Sequence, residues 1–325
     1  MTFPRPAAST PTQTGKPDRL HRLRRLNKFL ALVLPYGLGA RALALATRNP
    51  LVQALFGKHR LRLTNFLDEN GLTVDRHQAI ARYLTTNWLT SWRLSALARC
   101  SDAAFARWVS LDGDEIFRQL RAQGRPVLLC NSHYGSGKII LLALLRQGHT
   151  LHSLDRQDIF SFSNIRARGE LISINLGDRQ NNFMLKQVFR ARKVLQEGGI
   201  LHIAGDGVRG LSGRAIPFLG RLRNFPASVA ELALATNAAV IPTFGTLDAD
   251  GRIRLKLLPP LEMPDAQLPH EQRVMQFIEQ YGRLLQAHWL ADPGEIHKGE
   301  LKIYAALPQQ VAAMQNGVTE NGVTG

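Results

Sequence analysis

The sequence is short of acidic residues and of cysteines. Of its 325 residues only 25 are Asp or Glu, against 41 Lys and Arg, so the formal net charge is +16. The two cysteines, Cys100 and Cys130, are spaced neither for a metal site nor for a disulfide framework. Cys130 lies in an apolar run, and we expect it to be a buried, reduced thiol, as is typical of proteins on the cytoplasmic side of a membrane.

Motifs of nucleic-acid recognition are also missing: the chain has no zinc-finger, basic-zipper or RNP pattern. A positive surface attracts polyanions, which leaves anionic lipid, an acidic protein or nucleic acid as partners. The basic residues are spread along the chain, with one dense group over residues 19–28 that adjoins an apolar stretch. That neighbourhood favours anionic membrane lipid, and we expect no nucleic-acid partner. The members of the group are Arg19, Arg22, Arg24, Arg25 and Lys28.

The apolar runs are too short or too interrupted for a simple membrane span. The stretch over residues 29–45 falls short of the roughly 20 apolar residues that a spanning helix needs. It also contains a proline, two glycines and an arginine. Residues 44–46 could mimic a signal-peptide cleavage site, but that interpretation predicts an exported protein. We favour a helix that lies on the membrane and is anchored by the basic group. A plain core helix with a solvated basic flank is the alternative.

The composition, with 45% hydrophobic and 20% charged residues, predicts a folded chain with a sizeable core. Residues 1–18 and 308–325 are polar or rich in Pro, Ser and Thr, and we predict both to be disordered. Residues 19–110 are interpreted as a helical, membrane-associating region, in which 78–109 is helical throughout. From 111 to 307 apolar strands alternate with helices, so the fold class is α/β, a mostly parallel central sheet flanked by helices. The predicted strands are 126–130, 151–154, 171–176, 200–204, 239–244 and 253–258.

The segment VLLCNSHYGSGKII, residues 127–140, is the first that carries chemistry. A buried strand ends there, and a polar, glycine-bearing loop leads into an apolar helix. In open α/β sheets, sites form at the carboxyl ends of strands, in this kind of loop. A lone histidine is more often structural. His133 is nevertheless well placed, and the adjacent glycines let the backbone approach a ligand closely.

The same segment partly matches a phosphate-binding P-loop, which reads GxxxxGK[ST] between a strand and a helix. Gly137 and Lys138 fit that pattern, but Ser132 stands at its first position and Ile139 at its last. Without the final hydroxyl the usual magnesium ligand is missing. A nucleotide-binding protein with a degenerate P-loop is therefore a weaker alternative, for which only Asp206 offers a downstream aspartate at a strand.

A second segment, residues 202–244, joins a buried strand to a glycine-rich loop. Asp206 follows the strand, and the loop carries four arginines. The loop is interpreted either as a solvated basic connection or as guanidinium groups gathered to bind phosphate, pyrophosphate or another anion. Its segment IPFLGR, residues 216–221, is apolar although it is expected in a loop. An apolar loop segment is suited to contact with an acyl chain or a membrane. The four arginines are Arg209, Arg214, Arg221 and Arg223.

Together these two segments resemble the lipid A late acyltransferases, a branch of the lysophospholipid acyltransferase superfamily. The matching order is residues 133–138 between a strand and a helix, Asp206 with its arginine-bearing loop, Pro-Phe-Leu-Gly at 217–220 and Asn-Ala-Ala-Val-Ile-Pro at 237–242. The resemblance covers residues 114–261 and is most specific in the Pro-Phe-x-Gly block with the helix and strand that follow. It implies a glycerolipid-acyltransferase-like fold. From the basic group beside the short, interrupted apolar stretch we expect a peripheral or monotopic protein on the cytoplasmic face of the inner membrane.

The resemblance implies transfer of an acyl group from a thioester to a hydroxyl, with His133 as the general base that removes the hydroxyl proton. In the family a carboxylate five residues after the histidine orients the imidazole and stabilises its cation. This chain has Lys138 there, and an ammonium neither accepts the imidazole N–H nor favours the imidazolium. Either the activity is reduced, the histidine acts unaided, the fold has been recruited for another task, or another carboxylate replaces the missing one. The candidates for a replacement are Asp155, Asp158 and Asp206.

We therefore predict an O-acyltransferase that moves a fatty acyl group from acyl carrier protein or coenzyme A to a hydroxyl of a lipid or glycolipid, with a lipid A-type or lysophospholipid acceptor. The thioester is a co-substrate, and no metal or other cofactor is expected. A non-catalytic, lipid-binding relative is the alternative that Lys138 supports. The predicted catalytic residues are His133, Lys138 and Asp206. The predicted substrate-binding residues are Ser132, Tyr134, Gly135, Arg209, Arg214, Phe218, Gly220 and Arg221.

Overall fold

The computed structural model describes residues 34–155, 165–176, 181–207 and 213–307. The two ends predicted to be disordered and the basic group of the N-terminal region lie outside these ranges. So do Asp158 and Arg209. Among the helices of the described ranges, none combines the length and the apolar character that crossing a bilayer requires.

The first elements of the described chain are helices. The stretch predicted to be helical from 78 to 109 is broken twice. Leu89 adopts a left-handed backbone (φ 54°), and Ser101 starts a new helix by accepting the N–H of Ala104 with its side chain. These helices are α1 (Tyr36–Arg48), α2 (Pro50–Leu55), α3 (Gly57–Glu69), α4 (Arg76–Asn87), α5 (Thr90–Arg99) and α6 (Asp102–Trp108).

The strands form a seven-stranded sheet and a separate hairpin. The sheet consists of β1 (Val109–Asp112), β2 (Val127–Gly135), β3 (Leu151–Asp155), β4 (Leu171–Asn175), β5 (Ile200–Ala204), β8 (Ala239–Leu247) and β9 (Ile253–Leu257); the hairpin is β6 (Gly213–Phe218) with β7 (Arg221–Pro226). The strand order is β1-β9-β8-β2-β5-β3-β4, and all neighbours are parallel except β8 and β9. The predicted α/β class with a mostly parallel sheet is confirmed.

Helices cover both faces of the sheet. Along β2, Leu128 and Cys130 belong to the core on one face, and Val127 and Leu129 to the core on the other. This double burial explains why the strands are apolar without interruption. Cys130 is buried and free, as predicted. The later helices are α7 (Asp114–Ala122), α8 (Ile139–Arg146), α9 (Asn181–Gln196), α10 (Ser228–Thr236), α11 (His270–Ala291) and α12 (Lys298–Ala305), with a 3-10 turn at Pro293–Glu295.

All six predicted strands are present, but two expectations about the connections are wrong. Strand β2 does not stop at residue 130 and runs on to Gly135. The segment from 213 to 226 is a β-hairpin and not an open loop. Leu219 and Gly220 both take positive φ, which gives the tight reversal that two-residue hairpins use. Short strand β1 pairs with β9 and does not stand out in the apolar pattern.

Gly135 ends β2 in a conformation that depends on the absence of a side chain. Its φ is +56°, and an added Cβ would lie 1.8 Å from the carbonyl oxygen of Gly245 and 2.9 Å from Oε2 of Glu295. The backbones of β2 and β8 are therefore in close contact at the end of the sheet. Gly220, in the hairpin, also has a positive φ of +73°, but nothing lies within 4 Å of its added Cβ.

The pair of glycines allows a matched test. Gly135→Ala should destabilise the protein by on the order of 3 kcal/mol or more, because the β2–β8 backbones must separate. Gly220→Ala should cost only about 1 kcal/mol, the strain of a left-handed alanine. Denaturant unfolding of both variants measures the difference. Equal losses of stability would show that the β2–β8 contact imposes no constraint at Gly135.

Candidate active site

His133 lies where the regular pairing of β2 ends. Residues 127–131 pair in register with β5 and β8, and the register with β8 then shifts before Gly135 meets Gly245. His133 falls inside this irregular segment, at the carboxyl end of a central strand, with its side chain one-third exposed. The sequence pattern predicts this residue in a loop after the strand. It is instead held by an extension of the strand.

The C-terminal segment explains the extension of β2. Ile296 forms an antiparallel bridge with Tyr134, and the backbone N–H of His297 donates to the carbonyl oxygen of His133 at 3.3 Å. The chain that precedes α12 therefore lies along the end of β2. It fixes the backbone on both sides of the histidine.

Asp206 orients His133 through two contacts. Its Oδ2 accepts the backbone N–H of His133 at 2.6 Å, and its Oδ1 lies 2.8 Å from the ring Nδ1. Asp206 follows β5, the strand next to β2, and it is fully buried. Burial alone would raise the pKa of this carboxyl, but the charge and hydrogen bonds of His133 outweigh it and the pKa is lowered. Asp206 is therefore the carboxylate that partners the histidine.

Two further charged groups lie behind this pair. Arg223, on β7, donates to the backbone oxygen of Asp206 at 3.1 Å and to the carboxylate of Glu300. Glu300, on α12, lies with Oε1 3.9 Å from Nδ1 of His133. Both residues are buried. The site thus consists of an imidazole, two carboxylates and a guanidinium that bonds to the carboxylate of Glu300 and to the backbone of Asp206.

The electrostatic balance favours a protonated imidazole. The charge of Asp206 raises the pKa of His133 to about 9; burial opposes the shift, the hydrogen bond to Asp206 and the charge of Glu300 add to it, and Lys138 lowers it. Two neighbouring histidines behave differently. Burial lowers the pKa of His202 to about 3 and that of His297 to about 4, with the charge of His133 as a further cause in both. His133 is accordingly the imidazole in this cluster that is suited to carry a proton.

Lys138 turns away from the pair. It is the N-cap residue of α8, and its Nζ lies 3.8 Å from Oδ2 of Asp155 at the end of β3. Of the three candidates for a replacement carboxylate, Asp155 is thus associated with the lysine and Asp206 with the histidine. Asp158 lies outside the described residues.

Two of the three other predicted contacts in the first segment have structural roles. Tyr134 is buried, and its hydroxyl donates to the carbonyl oxygens of His288 and Asp292, so the expectation that it contacts substrate is wrong. Gly135 is required by the close approach of two backbones. Ser132 is buried beside the histidine, and its Oγ has no hydrogen-bond partner within the described residues.

The predicted substrate-binding residues of the second segment that the structure describes lie in the hairpin. There their side chains are buried or form ion pairs with other parts of the protein. Phe218 is fully buried, packed on Phe225 and Trp289, which corrects the expectation of an acyl-chain contact. Arg221 donates to Glu69 and stacks on Tyr304, and is likewise structural. Gly220 forms the turn. Arg214 pairs with Glu271 at the surface.

The roles of Arg223 and Glu300 are not predicted from the sequence. The sequence groups Arg223 with the loop arginines, whereas β7 alternates so that its arginines point inward and Leu222 points outward. Glu300 lies in a polar segment far from both motifs. An acidic residue in the first turn of a helix is common for helix stability alone, so local sequence carries no signal for it.

One arrangement of ligand atoms within the described residues has the spacing of a metal site. The atoms of His133, Asp206 and Glu300 lie within 4.8 Å of one another. The guanidinium of Arg223 and the imidazole already neutralise the two carboxylates, however, and the hydrogen bonds account for their approach. We therefore interpret the group as a charge-paired network.

A cavity of about 290 Å³ lies between α1, α4 and the turn after β8. Arg82 and Leu247 line it, and both donate to the buried carboxylate of Glu295, which faces Gly135. The volume is at the lower end of the range for small-molecule pockets. The cavity is thus separated from the end of β2 by one buried carboxylate.

Fold and site together define an α/β protein with a histidine–carboxylate pair at the carboxyl edge of its sheet, the arrangement of a general base. Family comparison gives the particular class: the bacterial lipid A biosynthesis acyltransferases match residues 74–289. The match covers more than half of the chain, which belongs to this family. The resemblance noted in the sequence is thereby confirmed. A search of curated proteins finds no match.

The pairing of His133 and Asp206 predicts a shifted titration. The imidazole resonances of His133 should titrate with a midpoint near pH 9, as measured by NMR with His133→Gln to assign them. Asp206→Asn removes the largest charge contribution, so the midpoint should move down towards the ordinary value of about 6.5. A midpoint near 6.5 in the unmodified protein would contradict the ion pair.

Proposed function

We propose that this protein transfers a fatty acyl group from a thioester, acyl carrier protein or coenzyme A, to a hydroxyl of a lipid A-type glycolipid or lysophospholipid. The observation that carries the proposal is the pair of His133 and Asp206 at the sheet edge of a chain that belongs to the acyltransferase family. Donor and acceptor are parts of the proposal, and the thioester is the only co-substrate it includes.

The pair suggests how the proton moves. In the neutral imidazole, whose population grows as the pH approaches the pKa of about 9, Asp206 accepts from Nδ1 and Nε2 is the nitrogen that takes the proton of the acceptor hydroxyl. The oxygen attacks the thioester carbonyl and forms the new C–O bond. The C–S bond then breaks, and the departing sulfur takes the proton from Nε2 to leave a free thiol. The imidazolium that forms between these steps is stabilised by Asp206.

A non-catalytic lipid-binding role is the second candidate, and the replacement at Lys138 is what favours it. The third, nucleotide binding, is less well supported. The backbone N–H groups of His133 and Ser136 already donate to Asp206 and Gly245, so they are not free to surround a phosphate. The presence of an oriented imidazole makes the catalytic role the stronger of the first two.

The proposed role of His133 as the general base is tested by the variant His133→Ala. We expect loss of at least about 100-fold in acyl transfer, because general acid–base catalysis contributes that much or more. The assay follows release of free thiol from acyl-carrier-protein or acyl-coenzyme A donors in the presence of lipid extract. His270→Ala, which removes a surface histidine paired with Glu231, is the control and should keep its rate. Equal rates for His133→Ala and the unmodified protein would rule out this mechanism.

We also propose that the protein works on the cytoplasmic face of the inner membrane, bound through α1, α2 and α3. These helices expose five leucines, each 60% or more exposed. Residues 34–67 contain five Lys or Arg and no Asp or Glu. Apolar side chains beside basic ones are the composition of a surface that lies on anionic lipid. The leucines are Leu38, Leu45, Leu51, Leu55 and Leu61.

The membrane surface is tested with vesicles of phosphatidylglycerol and phosphatidylcholine. The double variant Leu51→Ser/Leu55→Ser should bind at least tenfold more weakly, since each buried leucine contributes about 1.5 kcal/mol or more. Leu222→Ser, on the hairpin, is the control. Raising the salt concentration should weaken binding of the unmodified protein. Unchanged vesicle affinity of the double variant would contradict the proposed surface.

A further inference from the structure

Glu300 is a buried carboxylate that family membership does not account for. It lies on α12, outside the matched residues 74–289. Its side chain is 7% exposed, and Oε1 is 3.9 Å from Nδ1 of His133. Removing a carboxylate from water is unfavourable unless it is paired. Arg223 pairs with Oε2 of Glu300, which leaves Oε1 as the oxygen near the imidazole.

The position at which the resemblance leads one to expect a carboxylate holds a lysine. The sequence places Lys138 five residues after His133, where the resemblance leads one to expect an acid. Its ammonium pairs with Asp155, yet it is close enough to lower the pKa of His133. The imidazole thus has one direct partner, Asp206, and a positive charge where a negative one is expected.

We propose that Glu300 is a positioning residue that supplies the second carboxylate to His133, in place of the one that Lys138 has displaced. The proposal rests on the proposed function, because it assigns Glu300 to the same base. Glu300 acts through the imidazole, whose cation its charge stabilises.

The structure fixes Glu300 in this place from two sides. The segment before α12 is bonded to the histidine itself, through the N–H of His297 and the carbonyl oxygen of His133. Arg223 joins the Glu300 carboxylate to the backbone oxygen of Asp206. The guanidinium lies 4.9 to 5.3 Å from the centres of three aromatic rings, which hold it in a cation–π enclosure. These rings are Phe218, Phe225 and Trp289.

The charged and titratable groups around His133 act in opposite directions. Asp206 from the end of β5 and Glu300 from α12 favour the imidazolium, and Lys138 before α8 disfavours it. His202 on β5 and His297 before α12 are neutral, because burial lowers the pKa of both. Burial, followed by the charge of Asp206, raises the pKa of Glu300 to about 7. Glu300 is therefore negative over the range in which His133, with a pKa of about 9, loses its proton. Arg223 stands behind both carboxylates.

The direct test is the titration of His133 in Glu300→Gln. The amide keeps the size of the side chain and an oxygen for Arg223 but removes the charge. We expect the NMR midpoint of His133 to fall by about one pH unit or more, with the acid limb of kcat/KM moving the same way. Glu231→Gln, an exposed acid paired with His270, is the matched control and should leave the midpoint in place. An unchanged midpoint in folded Glu300→Gln overturns the proposal.

A rescue experiment separates positioning from a purely structural role. Lys138→Glu restores an acid at the position that the resemblance leads one to expect. If Glu300 does the work of that acid, Lys138→Glu in the Glu300→Gln background should return the midpoint and the acid limb of kcat/KM upward, towards those of the unmodified protein. No recovery, with both variants folded by circular dichroism, counts against the proposal. If Glu300→Gln does not fold, Glu300→Asp is the alternative, because it keeps the charge but holds it farther from the imidazole. The midpoint of His133 should then fall by less than the one pH unit expected for the amide. An unchanged midpoint in Glu300→Asp would also contradict the proposal.

The outcomes also separate this inference from the proposed function. Full activity of His133→Ala would remove the proposed acyl-transfer mechanism. An inactive His133→Ala together with a normal pH profile for Glu300→Gln would remove only the role of Glu300.

Discussion

The contact on which the site depends is the double attachment of Asp206 to His133. One carboxylate oxygen accepts the backbone N–H of the histidine and the other lies against its ring, so a single buried side chain sets both the backbone and the rotamer. Since Asp206 follows β5 and His133 lies in the last part of β2, the geometry requires these strands to be neighbours in register. The parallel sheet therefore acts as the scaffold that brings the two motifs together.

The rest of the site compensates the charge of that contact. Two buried carboxylates near one imidazole would repel each other without Arg223, which bonds to Glu300 and to the backbone of Asp206. Breaking a buried ion pair by removing one partner typically costs about 3–5 kcal/mol, because the other charge is left unpaired. The aromatic rings around the guanidinium belong to the hairpin and α11, so the hydrophobic core and the charge network share residues. Stability and the state of the histidine are coupled in this protein.

Lys138 alters the electrostatics of the site without removing the base. The lysine pairs with Asp155 at the end of β3, while the histidine keeps Asp206. The imidazole stays oriented because the carboxylate of Asp206, which follows the neighbouring strand β5, reaches Nδ1. This makes a catalytic role compatible with the unusual sequence.

The sequence by itself determined the α/β class, the six predicted strands and the position of His133 and Asp206 at strand ends. Strands buried on both faces are continuous apolar runs, and glycine and polar residues mark where each run stops. It misassigned Phe218, Arg221 and Tyr134 as substrate contacts. In β7 the usual pattern is inverted, with arginines inside and Leu222 outside, and only ion pairs and aromatic rings from distant elements make that orientation favourable. Glu300 is 94 residues after Asp206 in the sequence. Its approach to His133 was decided by the tertiary structure, since a contact made by the packing of the C-terminal segment against the end of β2 leaves no periodicity or spacing in the chain.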